Sequence, residues 1–459
     1  MIAENTNVTR DAIVPGLWGR LAERFPMLPR IAGSLGWNLA DRAVAIVNGL
    51  LVGAWVARYM GPERYGLFIS AVTLAGFFGS IACLGMNRVF DRDLADRPEE
   101  SPRLLGTASA LLFAAGAATL LLAGLTIWAL PLDRVSVAVT LIVSSTFLAG
   151  PAWALRSWFQ GRLDARSLFF ANGLGLGLSA GLKIAMILAG APLWAFAVAV
   201  SLETFVAAAL LWLRYRRTCP ASERQPWRVD RELLREYLRQ AGPLTLALVA
   251  TTIYHRMDTL MLKAMAGDEP AGIYAAAARI SESFYFLPAA LAAAFLPSLL
   301  SARKTNRALY RRRMEAFVKL HAAIGYGLAI GGTLLAGWGV RLLFGEAFAA
   351  AVPVLTIHVW AALPFFLANA RHEYLLAEGV LRLNLPSALI GAVSNLALNF
   401  LLIPRLGAAG AAWATLIAYS LAWVLSSFVF RAARPAGWMQ LRALLWPVPD
   451  PRSLARGVS

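Results

Sequence analysis

The stretch Thr251 to Ile280, TTIYHRMDTLMLKAMAGDEPAGIYAAAARI, decides how the chain is read. It opens inside an apolar run that begins near Pro243, and it carries His255, Arg256 and Asp258 where a bilayer-spanning helix would hold only hydrocarbon. An Arg or Asp at mid-helix costs about 2.5 to 3.5 kcal/mol on insertion scales, so such groups face protein or a water-filled cavity and mark a pathway. On a helix, Thr245, Thr252, Arg256, Thr259 and Lys263 form one stripe, with Thr251, His255 and Asp258 on the next. Arg256 and Asp258, two positions apart, point about 200° from each other and cannot simply neutralise one another, whereas His255 and Asp258 are spaced to pair.

The whole chain has the same character. Of its 459 residues 59% are hydrophobic and 15% charged, with a mean hydropathy of +0.60, which places it among polytopic membrane proteins. Stretches long enough to span a core of about 30 Å fall at 36–58, 66–88, 104–130, 135–156, 167–190, 192–214, 241–264, 272–301, 314–344, 350–371, 380–403 and 407–431. The two long stretches 272–301 and 314–344 have room for kinks at Pro288 and at Gly331 and Gly332. Counting span-end residues with the loops they adjoin, segments on the N-terminal side of the membrane hold 32 Lys and Arg and those on the far side hold 6, with Arg42, Lys183, Arg256, Arg279 and Lys319 inside spans. Positive residues stay cytoplasmic, so both termini are expected inside, and the formal charge of +17 reports topology rather than nucleic-acid binding. Residues 1–30 show no sustained apolar core, so no cleavable signal peptide is expected, and Cys83 and Cys219 suggest neither disulfide nor metal site.

The fold class expected is an all-α polytopic membrane protein of about twelve transmembrane helices in two six-helix bundles around a V-shaped central cavity. Its organisation reads as a cytoplasmic tail (1–35), an N-terminal bundle (36–214), a cytoplasmic linker (215–240) acting as a hinge, a C-terminal bundle (241–431) and a cytoplasmic tail (432–459). The linker has turn formers at its start and an amphipathic segment from Val229. The halves repeat: laying VARYMGPERYGLFISA (Val56 to Ala71) over LKAMAGDEPAGIYAAA (Leu262 to Ala277) without gaps superposes Gly61 on Gly267, Glu63 on Glu269, Gly66 on Gly272 and Ala71 on Ala277. Both windows fall at the turn between the first and second spans of a six-span half, as in parallel-repeat transporters.

These residues resemble the polysaccharide transporter family, the lipid-linked oligosaccharide flippases of the multidrug, oligosaccharidyl-lipid and polysaccharide exporter superfamily. The resemblance is carried by the VARYMGPERYGLFISA turn, the RSWFQGRLDARS loop (Arg156 to Ser167), Arg256 to Ile280, and FLPAALAAAFLPSL (Phe286 to Leu299), and it covers roughly residues 33–431 in organisation. It implies two bundles around a central cavity and movement of an undecaprenyl-diphosphate-linked glycan from the inner to the outer leaflet of the bacterial inner membrane, for O-antigen or exopolysaccharide synthesis. Membrane lipid and a polysaccharide polymerase or export complex are the partners it suggests.

The candidate substrate-binding residues are Arg256, Arg279, Lys183, Arg42 and Lys319. Arg256, Arg279 and Lys183 lie seven or eight residues from the outer ends of their spans, about 10 to 12 Å below the outer interface, so three cations could converge on a diphosphate. The structural alternatives are an interhelical tie for Arg256, an intrahelical Arg279–Glu282 pair, a Lys183–Glu203 tie, Asp41 beside Arg42, and Glu315 four residues before Lys319. Asp258, Glu282, Glu203 and His255 are the candidates for coupling to H⁺ or Na⁺; no cofactor or metal is otherwise expected. Gly177-x-Ser179-x-Gly181 mimics a nucleophile elbow but sits in an apolar helix, and Gly173, Gly177 and Gly181 read instead as a close helix-packing stripe. Asp91 and Asp93 read as a solvated loop. His255, His321, His358 and His372 show no metal-ligand spacing.

Two other functions compete. A drug-type cation antiporter of the same superfamily would prefer an acidic cavity, against the five intramembrane cations. A glycan polymerase or ligase would need a long external loop for its catalytic groups, and every external loop is short.

Overall fold

The computed structural model describes residues 28–129, 131–220, 223 and 226–449. Residues 1–27 of the expected N-terminal tail, Leu130, parts of the linker and the end of the C-terminal tail lie outside them. The chain is a succession of helices: α1 (Leu28–Ala82), α2 (Asn87–Asp96), α3 (Ser101–Ala129), α4 (Arg134–Ser144), α5 (Pro151–Gly161), α6 (Ala165–Leu188), α7 (Leu193–Thr218), α8 (Arg231–Ala266), α9 (Asp268–Glu282), α10 (Leu287–Thr305), α11 (Arg307–Phe344), α12 (Ala351–His358), α13 (Ala362–Glu378), α14 (Asn384–Ser420), α15 (Ser426–Val429) and α16 (Arg434–Leu445). Long apolar runs satisfy every backbone polar group only by coiling, which is what a bilayer demands.

Among the described residues eight helical stretches are long and apolar enough to cross a membrane, and nine if the pair Arg134–Ala149 and Pro151–Gly161, bent by 49°, is one span. Two of the eight, of 47 and 49 residues, are about twice the length one crossing needs, and each is broken at a positive-φ glycine, Gly61 or Gly407. Helix α8 is not among the eight; its polar stripe lowers its hydropathy. The break between α9 and α10 falls just before Pro288, whereas α11 runs straight through Gly331 and Gly332. There Gly332 serves packing: a Cβ would sit 2.5 Å from Val359.

The turn after the first span and the turn after α8 are built alike. Gly61 (φ 73°, ψ 169°) and Gly267 (φ 99°, ψ −178°) adopt a backbone that side-chain-bearing residues rarely accept. The two turns pack against each other, Gly66 against Asp268 and Gly272 against Pro62. Further ties close this end: Lys263 Nζ donates to Asp268 (2.8 Å) and to Ser136 (3.2 Å), and Arg58 donates to the Leu342 carbonyl (3.4 Å). Tyr65, Phe348, Leu262 and Ile273 belong to the core beneath.

The linker differs from expectation. Its amphipathic segment is no separate hinge but the first turns of α8, which continues through Gly242 and Pro243 into the apolar run. Leu233, Tyr237 and Ala241 bury against Phe90, Leu104 and Trp158 of the N-terminal half, Asp230 caps the helix and pairs with Arg103 (3.0 Å), and Tyr237 donates to Asp93 (3.1 Å). Asp93 is therefore buried, not solvated. The stripe of Gly173, Gly177 and Gly181 is also corrected: a Cβ at any of them would touch nothing, and the close approach is on another face, at Gly175, where a Cβ would lie 2.7 Å from the Glu203 carbonyl oxygen. Helix α16, placed in the C-terminal tail, buries Ala436, Met439 and Ala443 and leaves Trp438 and Leu445 exposed.

Candidate functional site

A cavity of about 600 Å³ lies between the halves. Helix α1 gives it Gly49, Tyr65, Thr73 and Ser80, α8 gives Thr252, His255, Arg256 and Thr259, and α9 gives Tyr274, Arg279 and Glu282. Threonine and arginine face it together because positions 252, 256 and 259 share one helical stripe. Ser80 and Thr252 hydroxyls meet at 2.7 Å across its wall.

Arg256 points into this space, its side chain 58% exposed, with Nη1 3.4 Å from a Glu282 carboxylate oxygen. Arg279 does not pair with Glu282 along its own helix. Its Nε donates to the Gly49 carbonyl at 2.8 Å and its Nη1 to the Tyr65 hydroxyl at 3.3 Å, both on α1. Two of the three cations expected to converge thus line one cavity. Lys183 is not part of the lining; it is an electrostatic neighbour of Glu203 and Arg279, with no direct ion pair to Glu203 among the described residues. Arg42 and Lys319 lie outside the lining too, and neither takes its expected partner: Asp41 accepts from Asn172 (3.2 Å) and Glu315 pairs with Arg442 (3.7 Å).

Asp258 faces away from Arg256, as the two-residue spacing requires, and is buried. Its Oδ2 accepts from the hydroxyls of Tyr274 and Thr415, each at 2.8 Å, and its Oδ1 from Asn399 Nδ2. Asn399 also donates to Asn395 (3.1 Å), while Asn399 Oδ1 and Asn395 Nδ2, both buried, have no protein partner. No cation of the described residues lies within ion-pair distance of this carboxylate. Three neutral donors thus satisfy the buried carboxylate in place of a counter-charge. His255 departs from expectation: its Nδ1 meets the Tyr419 hydroxyl at 3.0 Å, not Asp258. Glu203 borders a separate cavity of about 300 Å³ in the N-terminal half, with Asp41, Arg156 and Asn172.

Sequence reasoning missed the partners of Asp258 and the glycines beside Arg279. The signals were present as Asn395 and Asn399, one turn apart in an apolar helix, and as Gly49 and Gly53, likewise one turn apart.

A family of polysaccharide biosynthesis proteins matches residues 55–353. A probable flippase, AglR of Haloferax volcanii, is 28% identical over 178 residues, 38% of this chain and 37% of that relative, so the match spans little more than a third of its length. Among solved structures, lipid II flippase MurJ in an inward closed conformation superposes with a TM-score of 0.67 at 12% identity, over 93% of this chain and 96% of that one. A transporter from Pyrococcus furiosus of the MOP superfamily gives 0.61 at 14% (90% and 95%), and an inward-facing multidrug resistance MATE family transporter 0.58 at 16% (89% and 94%). These likenesses establish the fold, an all-α multi-pass membrane architecture shared with those proteins.

Proposed function

The chain belongs to the polysaccharide biosynthesis protein family, and from that premise we propose that it is a flippase for an undecaprenyl-diphosphate-linked oligosaccharide, a transporter rather than a polymerase or ligase. The observation that carries the reading is the pair Arg256 and Arg279 on one cavity between the halves. Cations held in a low-dielectric enclosure attract a polyanion, and the forked donors of Arg suit a diphosphate.

In this reading the Gly61 and Gly267 turns face the outside of the inner membrane, following the Lys and Arg bias. The cleft takes the diphosphate and first sugars from the inner leaflet while the polyprenyl chain stays in lipid, and rocking of the halves delivers the headgroup outward. The pocket of Asp258, Asn399, Thr415 and Tyr274 is proposed to couple this motion to H⁺ or Na⁺. The products would feed surface polysaccharide assembly.

A second reading, a cation-coupled drug antiporter, is favoured by Glu282 in the same cavity and by the shared fold of the MATE transporters. Replacing Arg256 separates the two. In the flippase reading Arg256→Ala lowers surface polysaccharide and accumulates the cytoplasm-facing lipid-linked intermediate, with Arg256→Lys retaining part of the activity. An Arg256→Ala protein that is expressed normally and transports at the parental rate sinks the cationic-site reading.

A further inference from the structure

The guanidinium of Arg279 is seated against bare backbone. Gly49 and Gly53 present one face of α1, a turn apart, and Arg279 reaches this face from α9 in the other half. A Cβ on Gly53 would lie 2.8 Å from Arg279 Cζ and Nη2 and 3.0 Å from Nε, and one on Gly49 would lie 3.4 Å from Nη2. Small residues in membrane helices ordinarily let two backbones approach. Here the space they leave is filled by a side chain, and the Gly49 carbonyl, an acceptor with two lone pairs, takes the guanidinium Nε–H.

The positions related to these by the 206-residue offset are dissimilar: His255 and Thr259 stand where the first half has Gly49 and Gly53, and Thr73 stands where the second has Arg279. All three line the open cavity. One side of the interface is thus plugged by Arg279, and the corresponding side is left as space.

We infer that Gly49 and Gly53 form a docking notch for the Arg279 guanidinium, and that this docking latches α1 to α9 and holds the Gly61/Gly267 end of the cleft shut. Arg279 is then a positioning residue that must leave the notch whenever that end opens. The inference concerns closure alone and holds for any cargo.

The test uses the full chain in lipid nanodiscs without added cargo. Cys83 and Cys219 are replaced by Ala, and nitroxides are placed at Glu63→Cys and Glu269→Cys, exposed positions on the two turns. Pulsed electron-electron resonance then reports the distance between the halves. Gly53→Ala is expected to raise the ratio of long to short distances by about tenfold, the scale of losing one hydrogen bond to a charged group, and Arg279→Ala to do the same. The double variant should shift no further than Arg279→Ala alone, because the methyl added at position 53 then has nothing to expel. An unchanged distribution in Gly53→Ala overturns the inference. So does a Gly53→Ala effect that persists in full without the arginine, including the broad distribution of a misfolded protein in both backgrounds.

Discussion

Gly66 and Gly272 each lie against the backbone of the other's turn: a Cβ on Gly66 would come within 1.8 Å of the Asp268 carbonyl oxygen, and one on Gly272 within 2.0 Å of the Pro62 carbonyl oxygen. The 206-residue offset carries one contact onto the other, Gly66 onto Gly272 and Pro62 onto Asp268, so the pair is self-complementary, as a two-fold relation makes it. Backbone cannot yield as a flexible side chain does. Gly66→Ala and Gly272→Ala are therefore expected to destabilise the closed arrangement by about 1 to 3 kcal/mol, the usual cost of overpacking, and to lower transport. Gly124→Ala, where a Cβ meets nothing within 4 Å, serves as the control. Melting temperature in detergent and surface polysaccharide measure the two effects, and equal behaviour of all three variants would contradict the crossing.

The base of α8 is fastened to the N-terminal half through Asp230, whose carboxyl is held below its ordinary value of 3.8, first by the Leu233 N–H and then by Arg103. A depressed carboxyl stabilises the fold above its unfolded value, and the contribution is lost as pH falls through the folded one. Asn caps a helix about as well as Asp, so Asp230→Asn isolates the charge. The variant should melt below the parent at neutral pH, and the two curves should converge as pH drops below 3.8. A gap that persists undiminished in acid would show that charge is not its cause.

The helical membrane architecture was legible because a bilayer demands long apolar runs, and these stand out in the chain. Each expected span overlaps helix, though several cross breaks, as 272–301 does between α9 and α10, and eight or nine stretches of the described residues, not twelve, are long and apolar enough to cross a membrane. The opposed directions of Arg256 and Asp258 were equally legible, since 100° per residue fixes them on any helix. What could not be read was azimuth between helices. Depth alone grouped Lys183 with Arg256 and Arg279, yet Lys183 lies off the cavity wall. Asp258 finds Asn399 and Thr415 more than 140 residues away, and no local pattern announces that pairing. The linker misled for another reason: turn formers at its start mark a break, but its amphipathic segment is the beginning of α8, buried against the N-terminal half.

Glu282 pairs with Arg256 in the cavity, and in the flippase reading it would compete with cargo for that arginine. The pair is half open to the cavity, with Arg256 58% and Glu282 27% exposed at 3.4 Å, so it contributes no more than about 0.2 to 1 kcal/mol. Glu282→Gln is accordingly expected to raise affinity for a soluble polyprenyl diphosphate analogue by less than about fivefold, as titration calorimetry in detergent would read. Under the antiporter reading the same change removes the anionic group and weakens binding of an organic cation. The sign of the change decides between the two.

Asp258 offers a test of coupling that leaves the fold standing. In Asp258→Ala the Tyr274 and Thr415 hydroxyls and one Asn399 N–H lose the acceptor they share, the hydroxyls keeping only each other and the Ala411 carbonyl, at about 1 to 3 kcal/mol for a group left unsatisfied, so lost activity there would be ambiguous. Asp258→Asn keeps the shape, and the two hydroxyls can rotate to accept from the new amide. If the pocket binds Na⁺, the parent should gain about 2.7 kcal/mol of stability when the ion reaches a hundred times its dissociation constant, read as a rise in melting temperature. The Asn variant should lose that rise. If the pocket takes a proton instead, Na⁺ leaves both proteins unmoved, and the Asn variant loses the parent's pH dependence of transport. An Asn variant that retains parental responses to both Na⁺ and pH places coupling elsewhere, with Glu203 and its N-terminal cavity next to be examined.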